Sequence, residues 1–437
     1  MKSQCEIPVS KVQRASKFIK TGAKIGGNYI KHYSKKLVDP ETTREELDQD
    51  NAEDIYDSLS ELKGSALKVA QMLAMDKNML PTAYQNKFAL AQYSAPPLSY
   101  PLVVKTFRTY LSDSPENIFD SFTKSAVNAA SIGQVHKATI GNKTYAVKVQ
   151  YPGVANSISS DLKLVKPIAQ RLFNLSKVDL DYYLSEVEQK LLEETDYALE
   201  VERSQSIANQ CSQINNVYFA QYYPELSAER IITMDWLEGV HLDKFLQTNP
   251  SQEVKNTIGQ ALWDFYHHQV HNLKMVHADP HPGNFLMNTD GRLGIIDFGC
   301  VKEIPDKFYN NYFKLIHSTM LDQDELMSIF YKLNFLYPDD NKKEIDFYVP
   351  LFKETMNLLG QPFHTDHFDF GNDIYFEEIY KVGERLSKME ELRKSKHPRG
   401  AKDGIYINRT YFGLYQLLNM LKAKVDTSSF TPLKKAS

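Results

Sequence analysis

The sequence predicts an α+β protein in which a strand-rich middle lies between helical segments, and three observations carry that expectation. Leu59, Leu62, Ala66, Leu67, Ala70 and Leu73 form an apolar stripe of helical period, and residues from about 54 to 122 read as helical, punctuated by Pro81 and Pro96-Pro97. From Ser125 the pattern turns to strands: Ala138 and Ile140, then Gly141-Asn142, then Tyr145, Val147 and Val149 read as a β-hairpin about a short turn. Beyond about residue 240 the pattern is again mostly helical, up to Leu421. The expected divisions are a basic segment at 1–50, a helical extension at 51–124, a strand-rich lobe with a helical insertion at 125–238, and a mostly helical lobe at 239–437.

A chain of 437 residues is long enough for more than one such unit. Its 42% hydrophobic and 24% charged residues are those of a globular protein. A net charge of −4 lacks the basic excess of a general nucleic-acid binder, so no nucleic acid is expected as a partner. Cys5, Cys211 and Cys300 are far apart and form no CxxC pair, which points away from a disulfide framework or zinc site and towards a reducing, cytoplasmic compartment. The start lacks the long apolar stretch of a signal peptide, and no apolar run reaches the roughly 18 residues of a membrane span. The first 36 residues carry nine Lys and Arg against a single acid, Glu6. With Val12, Ala15, Phe18 and Ile19 at helical spacing, this segment reads either as a peripheral helix on an anionic membrane or as a helix docked on the body. Gly22, Gly26 and Gly27 are expected to weaken any continuous helix there, and the polar stretch 39–54 to separate it from the next block.

The chemistry concentrates in His277-Ala278-Asp279-Pro280-His281-Pro282-Gly283-Asn284, followed by Ile295-Ile296-Asp297-Phe298-Gly299. Asn284 stands five residues after Asp279, and Asp297 eighteen after it, with room between for a hairpin about Asp290-Gly291. That is the spacing of a protein-kinase catalytic loop and its Asp-Phe-Gly. Phosphoryl chemistry needs one carboxylate beside the attacking oxygen, here Asp279, and hard oxygen ligands for Mg²⁺, here Asn284 and Asp297. Such a site also needs a lysine on a strand: Ala146-Val147-Lys148-Val149 places Lys148 for the α- and β-phosphates, with Glu200 as its carboxylate partner. The loop aligned with a phosphate-covering loop is Asn128-Ala129-Ala130-Ser131-Ile132-Gly133-Gln134-Val135, in which only Gly133 remains glycine. Alanine at 130 keeps the backbone further from a phosphate than glycine would. Ile231 to Gly239 reads as a strand running into a hinge, with Met234 as gatekeeper and the backbone of Asp235 to Leu237 facing an adenine.

These residues resemble the UbiB/AarF family of atypical kinases over nearly the whole chain. The family replaces the glycine-rich loop with an alanine-rich one followed by Ser-Ile-Gly-Gln-Val-His, and Ala129 to His136 reproduces that run. Lys68-Val69-Ala70-Gln71 resembles its Lys-x-Gly-Gln motif, with Ala70 where glycine is usual, and Glu194-Thr195-Asp196 its Glu-x-Asp motif. Ile7-Pro8-Val9-Ser10 with Arg14 and Phe18 resembles the N-terminal extension, and Asn408-Arg409 with Gly413 the C-terminal helix. The resemblance implies a bilobal, protein-kinase-like α+β fold. It also implies ATP or ADP and Mg²⁺ as cofactors, and a supporting role in isoprenoid-quinone or lipid metabolism near a membrane. Lys68 and Gln71, about a turn apart, can face one site, and Glu194 or Asp196 can pair with Lys68 or approach the metal. Ala278 in place of an arginine, His281 in place of a lysine and the lack of an Ala-Pro-Glu signal point away from a phospho-regulated protein kinase. The alternatives are a small-molecule phosphotransferase of the aminoglycoside-kinase type and a nucleotide-gated scaffold.

Overall fold

The computed structural model describes residues 11–39, 44–62, 98–130, 132–173, 177–318 and 320–430. The chain divides into two compact units, Met1–Glu202 with Gln221–Trp236, and Arg203–Ala220 with Leu237–Ser437.

In the first unit, helix α1 (Lys11–Val38) runs unbroken through all three glycines. The expected weakening does not occur because α2 (Arg44–Leu62) lines up acids against its lysines: Lys24 with Asp54 at 3.0 Å, Lys31 with Asp50 at 3.1 Å and Lys35 with Glu46 at 2.5 Å. Asn28 adds side-chain hydrogen bonds to Asn51 and Asp54. Packing against α2 thus carries the helix where propensity alone disfavours it, since most helical stability in a protein is tertiary. The stretch 39–54, expected as a separator, is therefore mostly helix, and the 50/51 division falls inside α2.

Helix α3 (Tyr100–Tyr110) has Pro101 in its first turn and buries Val103, Thr106 and Phe107, spaced three and four apart. Phe107 meets Phe122 edge-on at 5.4 Å, which fixes α3 to strand β1 (Ser121–Phe122). Strands β2 (Asn128–Ala130), β3 (Gly133–Ile140) and β4 (Lys143–Gln150) follow; β5 (Val217–Phe219) belongs to the second unit, and β6 (Ile231–Asp235) completes an antiparallel sheet in the order β1-β3-β4-β6, with β2 also on β3. The β3–β4 hairpin turns at Gly141-Asn142, where Gly141 has φ +56°. Residues 145–150 of β4 are buried without alternation, as a central strand covered on both faces must be. The helical insertion expected after Lys148 is α4 (Val154–Phe173) and α5 (Lys177–Glu194), and α6 (Tyr197–Gln210) starts three residues later.

In the second unit, β5 (Val217–Phe219) pairs in parallel with β9 (Leu293–Ile295), which pairs antiparallel with β8 (Phe285–Met287). β7 (Met275–His277) pairs antiparallel with β10 (Val301–Glu303). Helix α7 (Gln252–His267) drives Ile258, Leu262, Trp263 and Phe265 into the core, joined there by Leu414, Leu417 and Leu418 of α9 (Lys402–Met420); between them in sequence, α8 (Asp306–Tyr312) opens soon after β10. At its C-terminal end α7 widens into a π-helical turn, His268–Leu273, closed by Lys274 at φ +53° just before β7. This turn launches β7 and the loop carrying Asp279.

Candidate active site

Lys148 lies in the middle of β4, opposite Val135 on β3 and Ile232 on β6. Its Nζ donates to Glu200 Oε1 at 2.7 Å, with the two side chains only 6% and 3% exposed, and it lies 5.2 Å from the centre of the Tyr197 ring. Glu200 occupies the first turn of α6, where the helix dipole favours a carboxylate. Asp196 caps that helix, its Oδ1 accepting from Leu199 N at 3.0 Å. The sequence leaves the roles of Glu194 and Asp196 open; the structure separates them, Asp196 being an exposed cap and Glu194 buried. Lys68, Gln71 and Ser131 lie outside the described residues.

Sequence reasoning missed Gln150 and Arg230. The Thr195 carbonyl accepts from Arg230 Nη1 at 2.7 Å and from Gln150 Nε2 at 3.1 Å, and Arg230 Nη1 also donates to Gln150 Oε1 at 2.6 Å. The start of α6 is thereby tied to the strand that carries Lys148. Gln150 stands two residues beyond Lys148 and so shares its face of the strand, which is the one signal the sequence offers.

Ala129 and Ala130 pair with Gln134 and Gly133 across the β2–β3 hairpin. An added Cβ at Gly133 would lie 2.5 Å from the Val149 carbonyl oxygen and 3.0 Å from the Tyr197 hydroxyl, so strand packing alone requires glycine there. Gln134 accepts from Leu98 N at 2.7 Å and donates to His136 Nε2 at 2.8 Å, which leaves His136 Nδ1 to donate to the Thr123 carbonyl at 2.6 Å. His136 is thus neutral with its proton on Nδ1, and burial pushes its pKa down to about 4. Met234 is buried opposite Ala146. Asp235 N donates to the Gln221 carbonyl at 2.9 Å and Trp236 N to the Thr144 carbonyl at 3.1 Å, so neither donor is available to a base. The Asp235 carboxylate accepts from the Tyr223 hydroxyl at 2.7 Å and pairs with Lys143 at 3.2 Å. Leu237 belongs to the second unit.

The second unit brings Asp279, Asn284 and Arg409 together. Asn284 Nδ2 donates to the Asp279 carbonyl at 2.9 Å and lies 3.5 Å from Asp279 Oδ2. Asp279 Oδ1 pairs with Arg409 Nη2 at 2.5 Å. Asp297 Oδ1 accepts from Gly299 N at 2.7 Å, the turn that aims the carboxylate. His277, fully buried, donates its backbone N–H to Gln269 Oε1 at 2.9 Å and packs its ring 5.6 Å from Phe298, so it props the Asp-Phe-Gly turn. Directly after that turn the chain enters β10 and then α8, a short path with no long activation segment. Among the described residues no helix is long and apolar enough to cross a membrane, and no group of three metal-ligating side chains is found.

Comparison with known proteins places these motifs. The model of the ABC1 atypical kinase-like domain matches residues 90–329. Among curated relatives, the probable serine/threonine-protein kinase abkA of Dictyostelium discoideum is 25% identical over 97% of this chain and 79% of its own length. The mitochondrial atypical kinase COQ8 of Saccharomyces cerevisiae is 28% identical over 80% and 72%, and the mitochondrial atypical kinase COQ8B of Danio rerio 27% over 86% and 60%. The solved structure of Rv3197 of Mycobacterium tuberculosis, in complex with erythromycin, superposes with a TM-score of 0.57 at 26% identity, covering 88% of this chain and 96% of that one. The α+β fold is protein-kinase-like, and the chain belongs to the ABC1 atypical kinase-like family, the UbiB/AarF group to which its motifs point.

Proposed function

We propose that the chain is an atypical kinase or ATPase that binds Mg-ATP and supports isoprenoid-quinone or lipid metabolism. The observation that carries this reading is the buried Lys148–Glu200 pair at 2.7 Å. Two charges withdrawn from water stabilise a fold poorly compared with apolar side chains, whereas a lysine held rigidly in place is what phosphate oxygens require. The metal donors fit Mg²⁺. The Asn284 amide nitrogen is taken by Asp279, which leaves its oxygen to a cation, and Asp297 adds a carboxylate. Mg²⁺ would neutralise phosphate charge there. For the adenine, Met234 and Val135 supply apolar surface, and the Asp235 carbonyl and Leu237 N–H remain as polar partners once Asp235 N and Trp236 N are excluded. Asp279 orients the attacking oxygen. Lys68 and Gln71 complete the extension motif.

The relatives named COQ8 support the quinone setting, and their mitochondrial location extends a reducing compartment to an organelle interior. Peripheral attachment to an anionic membrane through residues 1–36 is supported by exposed Ile30, Tyr33, Lys20 and Lys36 on α1, although Lys24, Lys31 and Lys35 are paired with α2. A second reading, phosphorylation of a small hydroxylated molecule, draws support from the erythromycin bound to Rv3197. The deciding experiment measures ATP hydrolysis with Mg²⁺, with and without anionic liposomes, in the wild type and Asp297→Asn. Turnover raised by liposomes and abolished by the substitution supports a membrane-stimulated ATPase. Turnover appearing only with a small hydroxylated acceptor supports the second reading, and wild-type turnover in Asp297→Asn overturns the metal assignment.

A further inference from the structure

The catalytic loop lacks the cation that ordinary Ser/Thr kinases place two residues after the catalytic aspartate. Here that position is His281, whose Nδ1 accepts from Gly283 N at 3.0 Å and serves the loop's own turn. A guanidinium arrives instead from 130 residues away: Arg409 Nη2 lies 2.5 Å from Asp279 Oδ1, with the two side chains 12% and 9% exposed. Three further contacts hold the helix that carries it. Gly413, one turn on and on the same face, packs directly on Pro280, where an added Cβ would lie 3.0 Å from Pro280 Cβ and closer still to Cγ. Asp403 pairs with Lys302 of β10 at 2.8 Å, and Tyr312 of α8 donates to Asn408.

We infer that Arg409 is a positioning residue that supplies the missing cation and fixes Asp279 for turnover; this rests on the reading of Asp279 as the group beside the attacking oxygen. Asp279 is gripped from two sides, by Arg409 at Oδ1 and by the Asn284 amide nitrogen at its carbonyl and towards Oδ2. Its carboxylate is therefore held and aimed before any substrate arrives, which is the preorganisation that lowers a barrier without strengthening nucleotide binding. A pair this well covered stabilises less than apolar packing of the same volume, so stability alone does not account for it. Its donor is the planar, always-charged guanidinium rather than an ammonium.

The test uses the full chain and compares Arg409→Ala, Arg409→Lys, Asp279→Asn and the Arg409→Ala/Asp279→Asn double variant. Single-turnover ATP hydrolysis is measured beside Mg-ADP affinity by thermal-shift titration. Arg409→Ala is expected to slow hydrolysis at least about tenfold while the affinity for Mg-ADP changes by less than about twofold. Arg409→Lys retains more of the rate, and added guanidinium at non-denaturing concentration restores part of it in Arg409→Ala but not in Asp279→Asn. The double variant is no slower than Asp279→Asn alone, because both changes remove one unit. Unchanged hydrolysis in Arg409→Ala, losses that add in the double variant, or a loss of rate matched by a loss of nucleotide affinity and indifferent to guanidinium overturns the inference while leaving the role of Asp279 intact. No hydrolysis in the wild type, or full hydrolysis in Asp279→Asn, instead overturns the underlying reading, and the inference with it.

Discussion

Lys148 Nζ and Glu200 Oε1 stand 2.7 Å apart inside the first unit, one side chain delivered by a central strand and the other by the first turn of a helix. Removing either partner leaves a buried charge uncompensated, so Glu200→Ala and Lys148→Ala are each expected to lower stability by about 3–5 kcal/mol. Replacing both with apolar side chains of similar size, as in Lys148→Met/Glu200→Leu, is expected to recover most of that loss yet bind no nucleotide. Urea unfolding of the three variants beside Mg-ADP titration separates the two effects. A double variant as unstable as the sum of the singles would show that the two side chains act on stability independently rather than as a pair.

The pairing of Lys148 with Glu200 was readable in the sequence because each sits in a local run, Ala146-Val147-Lys148-Val149 and Asp196-Tyr197-Ala198-Leu199-Glu200. Asp279 and Asn284 were readable for a stricter reason, since five residues of one loop determine their separation. The contact of Arg409 with Asp279 was not: the resemblance marks Asn408-Arg409 in the C-terminal helix, but only the fold brings that arginine to a loop 130 residues earlier. Arg230 was hidden in the same way. The continuity of α1 was missed because it depends on acids of α2, and glycine propensity within one segment carries no information about a neighbouring helix. Gly133 was read as the surviving glycine of a phosphate-covering loop, and the closeness of the Val149 carbonyl supplies a second reason that only three dimensions reveal.

Gly133 and Ala130 face each other in the β2–β3 hairpin and are expected to respond oppositely. Gly133→Ala forces a methyl against the Val149 backbone oxygen, which cannot move without breaking the β3–β4 ladder. A loss of about 1–3 kcal/mol is expected by urea unfolding. Ala130→Gly removes a methyl from a half-buried turn-flanking position and is expected to leave the unfolding midpoint nearly unchanged while tightening ATP affinity, measured by thermal shift. Equal affinity in Ala130→Gly and the wild type would remove the alanine loop from control of nucleotide binding.

His136 gives the first unit an acid sensitivity. Its folded pKa is near 4, against 6.5 for an exposed imidazole, so the unfolded chain takes up the proton first as pH falls. The stability this represents is complete above about pH 6.5 and is lost progressively down to about pH 4, amounting to roughly 3 kcal/mol. Buried His267 and His271 act in the same direction, so the comparison must be with His136→Asn rather than with an ideal slope. Urea midpoints between pH 7 and 4 are expected to fall less steeply in His136→Asn than in the wild type, and parallel curves would place the acid sensitivity elsewhere.

Gly413 offers a test of how tightly the C-terminal helix governs the loop of Asp279. An added methyl there meets the ring of Pro280 and lies 3.2 Å from its carbonyl oxygen, and neither group can turn aside as a flexible side chain would. The loop must move, and displacement of about 1 Å at a reacting group can slow catalysis about a hundredfold. Gly413→Ala is therefore expected to slow ATP hydrolysis by about ten- to a hundredfold while Mg-ADP affinity changes little, since Lys148 and Glu200 lie in the other unit and Asp297 is held by its own turn. Stability is expected to fall by about 1–3 kcal/mol. Hydrolysis at the wild-type rate in a folded Gly413→Ala protein would show that the loop tolerates the shift and that the packing on Pro280 is only structural.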